Sequence, residues 1–95
     1  NDLFAQHANM RSLTRNGWKL IRDFEELGRD ELYNLANDPG EQRNLIADTS
    51  PQTMAIRNQL DRYLCEQMDD IKDPLVPLAR RLPLVDVYAI HDTNR

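Results

Sequence analysis

The chain has 95 residues, with sixteen Asp and Glu against twelve Lys and Arg for a formal net charge of −4. A chain of this length makes one domain with a modest core, because it hides only about two-thirds of the surface its unfolded form exposes. No basic cluster offers a nucleic-acid footprint, no apolar run nears the ~20 residues a bilayer span needs, and the single Cys65 excludes a disulfide framework or a multi-cysteine zinc site.

Residues 4–15 predict a first strand, with Met10 and Leu13 as its apolar members. Asn16-Gly17 follows, a hairpin signal, since a type I′ turn needs positive φ at both central residues. Residues 18–24 predict the return strand, built on Trp18, Leu20, Ile21 and Phe24. A two-residue loop sets the register: Arg15 opposite Trp18, Thr14 opposite Lys19, Leu13 opposite Leu20, Ser12 opposite Ile21. Side chains alternate along a strand, so one face carries Leu13, Trp18 and Leu20, and the other carries Met10 and Ile21. Both faces are partly apolar, which implies that something covers each of them.

A polar loop with Gly28 leads to a third strand over 31–35, completing an antiparallel meander. Asp38-Pro39-Gly40-Glu41 predicts a type II turn, with Pro39 presetting φ and Gly40 supplying positive φ. A helix is expected over about 51–72, capped by Thr49 or Ser50 with Pro51 in its first turn. Ile56, Leu60, Tyr63, Leu64, Met68 and Ile71 make its apolar stripe, while Arg57 and Asp61 fall mainly on other faces. Asp73-Pro74 is expected to end it, because the residue before proline avoids helical geometry. Beyond it lies a proline-punctuated extension over 75–95, with a helical turn within 76–82 and a strand over 84–90. The first five residues read as the middle of something, so the amino terminus is expected to be a cut or processed end. The fold expected is α+β: a small antiparallel sheet of three or four strands with one long helix packed across one face, filling residues 1–74.

The run from Glu31 to Leu45 resembles the carboxy-terminal signature of the sulfatase family: Glu31-Leu32-Tyr33-Asn34-Leu35, then Asp38-Pro39-Gly40-Glu41, then Asn44-Leu45. Trp18-Lys19-Leu20-Ile21 resembles the strand that precedes it in that family. The resemblance covers roughly residues 4–74. It implies a non-catalytic carboxy-terminal subdomain that packs against a catalytic domain and lines its substrate cleft. The parent would hydrolyse sulfate esters, such as those of a sulfated carbohydrate, with a formylglycine nucleophile and a calcium ion. A transition state of that charge needs a divalent cation and cationic side chains. The family's Cys/Ser-x-Pro-x-Arg motif is missing, since Cys65 is followed by Glu66-Gln67-Met68. Nor does any acidic cluster have the spacing of the family's metal ligands. The chain alone is therefore expected to be inactive, with no cofactor or metal of its own. The resemblance points to a periplasmic, secreted or lysosomal parent.

Three residues could touch an anionic substrate in a complete enzyme: His7, Asn9 and Arg11, in the segment leading into the first strand. Arg offers a planar multi-donor fork suited to sulfate. Lys19 reads as a strand lysine beside Trp18 or paired with an acidic neighbour, Trp18 and Tyr33 as core, and Asp69-Asp70 as a solvated helix face. The expected partner is the catalytic domain. The alternative is a free-standing α+β interaction module whose second sheet face is polar, or is covered by self-association or by the segment 84–90.

Overall fold

The computed structural model describes residues 3–89, apart from the side chains of Leu3 and His7. Strands β1 (Leu3–His7), β2 (Met10–Arg15), β3 (Trp18–Asp23) and β4 (Glu31–Asn34) form one antiparallel sheet in the order β1-β2-β3-β4. Helix α1 (Pro51–Asp70) lies across one face, followed by the short helices α2 (Val76–Arg81) and α3 (Leu84–Val87). The α+β architecture is the expected one, with four strands.

The β2–β3 hairpin has the predicted register, from Arg15 opposite Trp18 to Ser12 opposite Ile21. Asn16 and Gly17 take φ of 53° and 81°, the left-handed values that the tight turn requires. The stretch expected as one strand over 4–15 is instead two, folded at Ala8-Asn9. Ala8 sits at φ 53° without a glycine's freedom, so tertiary bonds hold the turn. Arg11 Nη1 donates to the Ala8 carbonyl at 2.7 Å, and the Phe24 amide donates to the Asn9 carbonyl at 2.9 Å.

The buried face of the sheet carries Leu13, Leu20 and Leu32 in one cross-strand row, almost wholly removed from solvent. Leu60, Leu64 and Met68 of α1 pack against it. Ile56 and Tyr63 join at the margin, but Ile71, expected in the stripe, is 45% exposed. Each fully buried Leu contributes about 1.5–3 kcal/mol relative to an exposed one, so this row is the main apolar support of the fold.

α1 starts as its sequence suggests, with Ser50 at the N-cap and Pro51 at the first helical position. Its end differs from expectation. The helix stops at Asp70, before the residue preceding Pro74, because Lys72 adopts φ 56°. The Lys72 amide then bonds the Asp69 carbonyl at 3.0 Å and the Asp73 amide bonds the Met68 carbonyl at 2.9 Å, the paired bonds of a Schellman cap.

The strand expected over 84–90 is corrected: Leu84–Val87 is a helical turn, its start set by Pro83, with the Tyr88 amide bonded to the Leu84 carbonyl. Ile90 lies outside the described residues. Leu84 and Tyr88 are buried in the same core cluster as the sheet leucines. The tail therefore covers the flank of α1 that carries Arg57 and Asp61, and both of these are buried, contrary to the face assigned them from the sequence. No helix among the described residues is long and apolar enough to cross a membrane.

Candidate functional site

On the face of the sheet opposite α1, Tyr33 is buried and Lys19 is paired with Glu41, while among the described residues the part over β1 and β2 is a groove. Strand alternation places Ala5, Met10, Ser12, Lys19 and Ile21 there, and with Gln6 they line a shallow groove of about 230 Å³. Met10 and Ile21 are half-buried there. Met10 and Ile21 share this second face, as the hairpin register expects.

The outer edge of this sheet, at β4, is closed by the loop that follows it. The Leu32 amide donates to Asn44 Oδ1 at 2.9 Å, and the Leu45 amide donates to the Leu32 carbonyl at 2.7 Å. Asn44 also accepts from the Ile46 amide at 3.0 Å and donates from Nδ2 to the Asp30 carbonyl at 3.2 Å. One amide side chain thus imitates a fifth strand. The approach to Asn44 is set by the turn at 38–41, where the Glu41 amide bonds the Asp38 carbonyl at 3.0 Å. The turn is not the expected type II: the left-handed residue is Glu41, at φ 54°, rather than Gly40. Asp38 stabilises it by accepting the amides of Gln42 and Arg43, and those bonds hold its carboxyl below the usual range. Lys19 Nζ reaches from β3 to Glu41 Oε2 at 3.0 Å, the acidic pairing that was one of the two settings expected for it. Tyr33 donates to Glu31, and that bond pushes its phenol up to about 12. The segment from Glu31 to Leu45 is therefore an edge closure made of hydrogen bonds.

The three substrate candidates are not brought together. His7 ends β1 opposite Met10, and its side chain lies outside the described residues. Asn9 is in the exposed turn and donates to Glu25 Oε1 at 3.0 Å. Arg11 points to the helix side and is buried. Its Nη2 donates to Asp73 Oδ1 at 3.0 Å, its Nε to Asp73 Oδ2, and its Nη1 to the carbonyls of Ala8 and Met10. The Arg11 bond holds the Asp73 carboxyl below the usual carboxylate range.

A second buried arginine was not foreseen. Arg22 Nη1 bonds Asp61 Oδ1 at 2.6 Å, its Nε faces Asp30 Oδ1 at 3.3 Å, and its Nη2 donates to the Leu82 carbonyl at 2.8 Å. Asp61 accepts the Leu84 amide at 2.8 Å, and Asp30 accepts the Tyr88 hydroxyl at 3.0 Å. Burial pushes the Tyr88 phenol well above its ordinary value. These bonds join the sheet, α1 and the tail, and they use the buried carboxylates that a cation would need. Among the described residues no three His, Cys, Asp or Glu side chains converge in a group that could hold a metal ion. Burial pushes the Cys65 thiol up, which disfavours the thiolate a nucleophile requires.

Comparison with known proteins agrees with the signature. Over 74 residues the chain is 32% identical to the uncharacterized sulfatase YidJ of Escherichia coli (strain K12). The chain is distantly similar to a sulfatase. The aligned stretch is 78% of this sulfatase-like chain and 14% of that protein, so the chain spans a small part of the relative's length. No family model matches it.

Proposed function

We propose that the chain is the non-catalytic carboxy-terminal subdomain of a sulfatase-length polypeptide, docked by its grooved sheet face onto a catalytic body. The observation that carries this reading is the groove around Met10 and Ile21, on a chain whose match spans 14% of a sulfatase. In this reading the catalytic body hydrolyses a sulfate ester and supplies the formylglycine and the calcium ligands. Contact with substrate from this segment falls to His7 and to Asn9 in the turn. Arg11 serves instead to anchor β2 to the end of α1, since all three of its guanidinium nitrogens have internal partners.

The test places a photo-crosslinking amino acid at Ile21 in the complete gene product. The expected adduct joins Ile21 to a peptide outside these 95 residues of the same polypeptide. Labelling by solvent alone, or an adduct to a second copy, contradicts the reading and favours the free-standing module.

A further inference from the structure

The two edges of the sheet are treated differently. At β4 the outward-facing amide and carbonyl of Leu32 are both bonded, to Asn44 and Leu45, and the Asn34 carbonyl accepts the amides of Asn37 and Asp38. At β1 the tight turn makes His7 and Met10 a hydrogen-bonded pair, so Ala5 and Leu3 also bond to β2. The amides and carbonyls of Phe4 and Gln6 therefore face away from β2. Among the described residues nothing bonds them, and β1 has a single neighbour.

An open edge is a template for another strand, and proteins that leave one exposed usually blunt it with lysine, proline or a bulge. β1 reads Leu-Phe-Ala-Gln-His and carries none of these. The groove on the face opposite α1 begins beside this edge, at Ala5 and Gln6. From these observations we infer that β1 is a strand-addition site. An extended segment of the same sulfatase-length polypeptide, outside these 95 residues, pairs with it as a fifth strand. Main-chain bonds to Phe4 and Gln6 supply the affinity. An apolar side chain on every second residue of the incoming strand enters the groove beside Ala5, Met10 and Ile21. This rests on the docking reading above and adds the mode of docking.

Backbone hydrogen exchange on the complete gene product, compared with the 95-residue chain alone, tests it. The Phe4 and Gln6 amides are expected to exchange at least about tenfold more slowly in the complete protein. A Gln6→Pro variant sharpens the result. Proline there removes only an outward N–H, so the β1–β2 ladder and the midpoint of the isolated chain are expected to survive, while protection at Phe4 in the complete protein is lost. Equal, fast exchange in both proteins overturns the inference. With an Ile21 crosslink still forming, that outcome leaves the docking reading standing. Protection of Phe4 and Gln6 in the isolated chain that rises with its concentration also overturns it, because the added strand is then a second copy.

Discussion

The guanidinium of Arg11 lies against the carboxylate of Asp73, Nη2 3.0 Å from Oδ1 and Nε on Oδ2, joining residues 62 apart in sequence. Both groups are buried, and the contact ties the second strand to the residue that closes the cap of α1. Asp73 also accepts the Leu75 amide at 3.0 Å, so the same carboxylate starts the tail toward its seat on the helix.

Asp73→Asn is expected to destabilise the chain by about 3 kcal/mol, because it leaves a buried arginine charge unpaired. A urea unfolding midpoint measures this. A loss under about 0.5 kcal/mol would mean that the pair is solvated in solution and has the small worth of an exposed one.

The acid limb of stability follows from the same pair. The folded Asp73 carboxyl is held below its unfolded value, chiefly by the Arg11 bond. Its contribution is therefore complete above the unfolded carboxylate value of about 4 and is lost as pH falls through the lower folded value. Stability measured from about pH 5 down to about pH 2 should fall more steeply in the native chain than in Asp73→Asn. Parallel curves would contradict this assignment.

Asn44→Ala is expected to cost about 2 kcal/mol, since it strips the acceptor from the amides of Leu32 and Ile46. The Leu32 amide should be among those whose hydrogen exchange quickens most. An unchanged Leu32 rate would show that the β4 edge is closed by something other than this side chain.

Lys72→Gly is expected to raise stability by about 1 kcal/mol. The left-handed position that closes α1 holds a residue with a Cβ, and glycine removes that strain. A lower thermal midpoint in the variant would show that the Lys72 side chain makes contacts worth more than the relief.

What could be read from the sequence was what local chemistry decides. Asn16-Gly17 sets one turn, that turn sets one register, and the register places Leu13 and Leu20 inward with Ile21 outward. The helix start at Ser50-Pro51 is equally local. The Ala8-Asn9 turn was not legible, because its left-handed residue is an alanine held by Arg11 and by the Phe24 amide from another strand. Arg22 and Asp61 stand 39 residues apart, and each alone looks like a solvated charge. Only the tail, folding back so that Leu82 and Leu84 complete their bonds, makes them interior groups. The signature from Glu31 to Leu45 was visible as a pattern, but its physical work was not. Asn44 acting as a substitute strand needs the structure to be seen.

The proposed role requires this chain to be part of a much longer sulfatase-like polypeptide. The most direct test is an immunoblot of the source cells with an antibody raised against these 95 residues. The expected band is several times larger than the 11.1 kDa of the chain. A single band at 11.1 kDa would contradict it and leave a free-standing module with a grooved sheet face still to be partnered.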